Sequence, residues 1–198
     1  MKKIAFTFLL AALCGITGCF PTSLNPLYAD KDVVFEPALV GIWQGEDSNE
    51  AWNFEKSGDN SYKLVYTDKE GKTATFETHL LKLGTTLFLD FFPDESSIQQ
   101  TNRSEIYQYH LVRTHSFAKV SRTEPAMQIS FLSLEWLGKL LEKNPKEIQH
   151  QRNGPDKDET IVLTAPTKEL QSFVLKHLAT KEAFLEPINL KRKRAQSK

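Results

Sequence analysis

Cysteine occurs twice in 198 residues, and 25 lysines and arginines are balanced by 25 aspartates and glutamates. So few cysteines cannot form the framework of a disulfide-stapled miniprotein, and a neutral chain lacks the cationic excess of a general nucleic-acid binder. No apolar run reaches the ~20 residues that a membrane-spanning helix needs. Catalytic signatures are missing too. The chain holds no G-x-S-x-G elbow, H-E-x-x-H helix, dinucleotide fingerprint or calcium loop. Gly71-Lys72-Thr73 imitates the end of a phosphate loop, but Tyr66 stands where the first glycine is required, so the segment reads as a turn. What is present, 40% hydrophobic and 25% charged residues without internal repeats, describes one globular domain.

The N-terminus has a different layout. Lys2 and Lys3 precede an apolar stretch from Ile4 to about Leu13, and small residues then lead to Ile16-Thr17-Gly18-Cys19. This is the pattern of a secretory signal over residues 1–18. The tetrad resembles the lipobox of bacterial lipoproteins, which implies cleavage before Cys19, acyl chains such as palmitate on that residue, and a permanent membrane anchor. Cys14 fits less well, because Leu13 stands where a small residue is wanted. With Cys14 removed and Cys19 capped, the mature chain has no free thiol for nucleophilic, redox or metal chemistry. Phe20 rather than Asp follows the cysteine, which in lipoproteins of two-membrane bacteria is compatible with the outer membrane, so the expected address is the bacterial envelope, and the outer membrane if the host has two.

Phe20 to Asp32 contains Pro21, Asn25 and Pro26 and has no periodicity, so residues 19–32 read as an acylated tether. At the other end, residues 188–198 read as a basic tail, with Lys191, Arg192, Lys193, Arg194 and Lys198 and no acid. Such a tail is either a solvated terminus or a contact to anionic lipid.

Between these ends, short segments separated by turn residues predict eight strands: Leu39–Gln44, Ala51–Glu55, Tyr62–Thr67, Ala74–Leu83, Thr86–Phe91, Glu105–Arg113, Phe117–Arg122 and Ala126–Phe131. Gly45, Gly58, Gly71 and Gly84 sit in the joints, and short joints imply antiparallel neighbours. In Ala74–Leu83, Ala74, Phe76, Thr78 and Leu80 share one face and Thr75, Glu77 and His79 the other. Leu87 to Phe92 is apolar on both faces and should be deeply enclosed. After Phe131 the period lengthens. Ser133 caps a helix carrying Leu137, Leu140 and Leu141, and Asn144-Pro145 is expected to open a second. Ile161–Thr164 reads as a ninth strand. A final helix, within residues 167–187, presents Leu170, Phe173, Val174, His177 and Leu178.

Eight meandering strands dispose of both open edges by closing into a barrel, with helices at the C-terminal side. Gly41-Ile42-Trp43 in the first strand, followed by this order of elements, resembles the lipocalin superfamily and the lipocalin-like domains of bacterial lipoproteins. The resemblance implies a barrel domain over residues 33–166 with a helical insert, a Trp43 that plugs one end, and a late-strand arginine packed against it. Arg122 is the expected counterpart in a signature of Gly41, Trp43 and Arg122, with Arg113 as competitor. A barrel of eight strands either fills itself with side chains or holds one small ligand, and 13 Phe, 5 Tyr and 3 Trp suffice for the first.

The functional expectation is a non-enzymatic, lipid-anchored envelope protein that binds a hydrophobic small molecule, a lipid or an envelope protein, without cofactor, metal or nucleic acid. Two alternatives stand beside it. One is a hydrolase or metal-dependent enzyme assembled from strand-borne His79, Asp90, His110 and His115, although His110 and His115 face opposite ways on an uninterrupted strand. The other is a structural scaffold built on a solid barrel.

Overall fold

The computed structural model describes residues 20–45, 49–95, 111–154 and 160–193. Its main body is a closed antiparallel barrel of eight strands, with helices on the C-terminal side. Seven strands follow one another: β2 (Gly41–Gly45), β3 (Ala51–Ser57), β4 (Ser61–Thr67), β5 (Thr73–Leu83), β6 (Thr86–Pro93), β7 (Ser116–Thr123) and β8 (Ala126–Phe131). The eighth, β11 (Ile188–Arg192), returns from the far end of the chain and pairs with both β8 and β2. Closure leaves no edge unpaired.

The closing strand comes from residues expected to belong to a basic tail. Ile188 and Leu190 alternate with Asn189 and Lys191 as a strand face requires, and Leu190 is buried in the barrel interior. Of the strand expected at Glu105–Arg113, residues 105–110 lie outside the described residues, and Leu111–Arg113 are not in a strand. The expected ninth strand exists as β10 (Thr160–Leu163), but it pairs with β9 (His150–Asn153) and β1 (Thr22–Ser23) in a separate small sheet. Helix α1 (Leu134–Lys143) begins where Ser133 accepts the Trp136 N–H at 3.2 Å, and α2 (Thr167–Lys176) buries Leu170, Phe173 and Val174. No second helix forms after Asn144. Glu147 bonds instead to Lys176 and to His177 (3.0 Å) beyond α2, which commits residues 144–149 to a turn leading into β9.

Two apolar cores result. The first fills the barrel, where the inward residues of β5 (Phe76, Thr78, Leu80) meet Leu89 and Phe91 of β6. The second lies outside the barrel wall, where Leu81, Leu83 and Phe88 are covered by Leu137, Leu141, Leu170 and Phe173 of the helices. Strand β6 is therefore enclosed on both faces, as its composition requires.

Residues 20–34 are not a free tether. They form a strap pinned at successive points: Thr22 and Ser23 pair with Val162 and Leu163, and Ser23 exchanges two backbone hydrogen bonds of 2.8 Å with His115. Next, the Leu27 N–H donates to Asp90 at 2.7 Å, and Leu27 itself is fully buried. Val34 then donates to the Leu80 carbonyl at 2.8 Å. Asn25, Thr167 and Gln171 add side-chain bonds that tie the strap to α2 and the segment before it. The turn signals of Pro21 and Pro26 are real, but anchorage here comes from isolated backbone bonds and side chains rather than one long ladder, so periodicity is absent.

Candidate functional site

The two ends of the barrel differ. At one end, Phe35 to Leu39 crosses the opening, and Leu39, Trp43, Tyr62 and Met127 are packed at 2% exposure or less. The Trp43 indole donates to the Leu39 carbonyl at 2.8 Å, and Phe35 stacks on Tyr62 with ring centres 5.0 Å apart. Arg192, rather than Arg122, completes this plug. Its guanidinium lies 4.5 Å from the Trp43 ring and donates to the carbonyls of Val40 (2.8 Å) and Ala38. Gly41 makes the arrangement feasible: at φ +132° a Cβ there would stand 2.6 Å from Arg192 Nη1. Arg122 instead bonds Glu36 at 2.8 Å and Glu124, on the flank of the same end. The expected signature is thus corrected to Gly41, Trp43 and Arg192. Arg192 lies on the closing strand, which the resemblance had not located.

The other end is open and aromatic. A cavity of about 260 Å³ is bounded by Trp52 of β3, Leu64 and Tyr66 of β4, Phe76 of β5, Phe91 and Pro93 of β6, Ser116 of β7 and Phe131 of β8. Thr114 and two residues of the strap, Phe20 and Thr22, complete the rim. The rings form a continuous wall: Trp52 meets Tyr66 at 5.1 Å and Phe91 at 6.0 Å, Phe91 meets Phe131 at 5.7 Å, and Phe20 stacks on Phe131 at 4.5 Å. Such edge and offset contacts hold aromatic walls in fixed positions.

Polar groups are few here. Tyr66 donates to the buried Glu50 carboxylate at 2.7 Å, and burial together with that bond pushes the phenol pKa well up, so it stays protonated. The Trp52 indole N–H is buried without an acceptor among the described residues. Apolar walls with a few oriented polar groups are the usual make-up of small-molecule sites, although this volume is below the ~300–1,000 Å³ of drug-sized pockets.

The histidines and Asp90 are disposed differently. His110 lies outside the described residues. His79 and Asp90 are directly opposed on β5 and β6, and Asp90 binds His115 Nδ1 at 2.7 Å. All three are on the outer barrel wall beneath the strap, not in the aromatic cavity. Asp90 is 1% exposed, with one oxygen on His115 and the other on the Leu27 N–H. His79 stacks on Tyr28 at 4.2 Å and His115 on Phe92 at 4.4 Å. The set works as a clasp for the strap, since its hydrogen-bonding groups face chain atoms. Among the described residues no three His, Cys, Asp or Glu side chains are grouped to hold a metal.

The cavity residues were legible only as strand faces. Trp52 and Phe54, Leu64 and Tyr66, or Phe76 and Thr78 each alternate inward, but nothing local marks which level of the barrel stays open. Phe20 was hidden because the segment around it has no periodicity.

Fold and site together define a closed β-barrel protein with one sealed end and one apolar, aromatic mouth. No protein-family model matches the chain, and no curated protein or solved structure is similar to it.

Proposed function

We propose that the chain is a non-enzymatic bacterial envelope lipoprotein, acylated at Cys19, whose barrel mouth holds an apolar ligand of small cross-section. The observation that carries this reading is the cavity of about 260 Å³ walled by Trp52, Tyr66, Phe76, Phe91 and Phe131 at the open end of the barrel. The lipobox Ile16-Thr17-Gly18-Cys19 supplies the anchor, and Phe20 after it favours an outer-membrane address. The sealed half of the barrel favours a second reading, a structural scaffold in which the mouth is merely underpacked.

A dansylated fatty acid separates the two. Carriage predicts energy transfer from the barrel tryptophans to the bound probe, reduced in Trp52→Phe and weakened in Ser116→Phe, which narrows the cavity. No transfer at any probe concentration leaves the scaffold. Metabolic labelling with an alkynyl palmitate tests the anchor separately: label must appear in the chain and disappear in Cys19→Ser.

A further inference from the structure

Resting on the anchored reading above, we infer that the occupant of the aromatic mouth in the mature protein is one of the chain's own acyl groups, carried on Cys19. The argument starts from where the chain stops being free. Thr22 is paired with Val162, Pro21 is buried, and Phe20 stacks on Phe131 inside the cavity wall. Cys19 precedes Phe20, so its Cα is fixed by covalent geometry about 3.8 Å from that of a cavity-lining residue. No spacer separates the acylated residue from the cavity.

Two further features fit such an occupant. The walls are almost entirely hydrocarbon and aromatic rings, and the volume of about 260 Å³ suits part of one chain rather than a whole lipid. Burial of methylenes in the mouth replaces their burial in the bilayer, so transfer of one chain loses little apolar contact. Tethering then decides the competition: a chain attached at the rim meets the mouth at an effective concentration of the order of millimolar, which a dilute free ligand does not match. The remaining acyl groups stay in the membrane. A soluble apolar ligand therefore enters by displacing the protein's own chain.

The test compares the full acylated protein, purified from membranes in detergent, with the mature chain from residue 19 made without its signal and carrying Cys19→Ser, using the dansylated fatty acid and transfer from the barrel tryptophans. We expect the acylated form to take up the probe about tenfold more weakly than Cys19→Ser, as a tethered competitor requires. Removal of ester-linked acyl groups with hydroxylamine should restore uptake. Equal uptake by both forms, with acylation verified by mass spectrometry, overturns the inference and leaves the carrier reading intact. If phospholipid co-purifies in the mouth of the acylated protein, the occupant is a bilayer lipid and the inference is equally overturned. Failure of the probe to bind either form ends both readings of the mouth.

Discussion

At the scale of single residues, Arg192 is the side chain on which the sealed end depends. It combines a cation–π contact with Trp43 and hydrogen bonds to two backbone carbonyls. Arg192→Ala should destabilise the protein by about 2–3 kcal/mol, since both carbonyls and the ring lose a partly buried partner. Arg122→Ala removes only ion pairs to Glu36 and Glu124, whose carboxylates are 39% and 49% exposed, and leaves no ring or backbone carbonyl among the described residues without its partner, so its cost should stay near ~1 kcal/mol. Urea unfolding of the two variants decides between them: equal losses would refute the assignment of Arg192 to the plug. His79 offers a second check. Burial lowers its pKa below 6.5, outweighing the opposing pull of Glu77 and Asp90. The folded state thus resists protonation that the unfolded chain accepts. This histidine's contribution is intact above the unfolded pKa near 6.5, erodes as pH falls below it, and levels off under the folded pKa. His79→Gln should flatten that part of the stability profile between about pH 7 and 5. An unchanged slope in denaturation titrations would show that His79 is not its source.

At the scale of elements, the strands from β2 to β8 were legible wherever turn residues bounded an alternating pattern, and β6 announced its double burial through Leu87-Phe88-Leu89. β11 was not. Its apolar signal is two residues, Ile188 and Leu190, and the cations that follow look like a solvated end. What makes it a strand is non-local: β8 and β2 each present an open edge, and closure rewards any segment that can pair with both. The strap was obscure for the opposite reason. Its bonds are scattered, from the two paired residues Thr22 and Ser23 to side chains of Asn25, Asp90, Thr167 and Gln171 on backbone groups, and such anchorage leaves no period to read. These findings predict a sharp boundary in truncation experiments. A chain ending at Lys193 should melt cooperatively like the full protein. A chain ending at Pro187 exposes both barrel edges together with the Trp43 ring, and should lose its cooperative transition or aggregate. Circular dichroism melts measure both, and a normal melt for the shorter chain would mean that β11 is dispensable.

At the scale of the whole molecule, the strap and the closing strand place Phe20 and Lys193, the outermost described residues, at opposite ends of the barrel. Phe20 lies at the mouth beside Phe131, the last residue of β8, whereas the Arg192 N–H donates to Pro125, just before β8 begins. On the proposed reading, an anchor on Cys19 would turn the mouth toward the bilayer and the sealed end away from it. The rim suits such a surface. Val112 is 72% exposed, and Arg113, exposed beside it, lies over Phe92 and donates to the cavity-lining Pro93 carbonyl. On that reading, one cation near an anionic surface would add about 1 kcal/mol to the proposed anchorage. Arg192, at the sealed end, should contribute nothing to the same contact. If the signal leaves with Cys14 and Cys19 is acylated, as proposed above, a single introduced cysteine can be labelled cleanly. On vesicles containing spin-labelled lipid, a fluorophore at Val112→Cys should be strongly quenched. The same fluorophore at Thr123→Cys, at the far end of the eight-residue β7, should not be, because strands rise ~3.4 Å per residue and that separation exceeds the reach of contact quenching. Deleting residues 194–198 should leave both signals unchanged. Quenching at Thr123 but not at Val112 would invert the orientation and detach the aromatic mouth from the membrane.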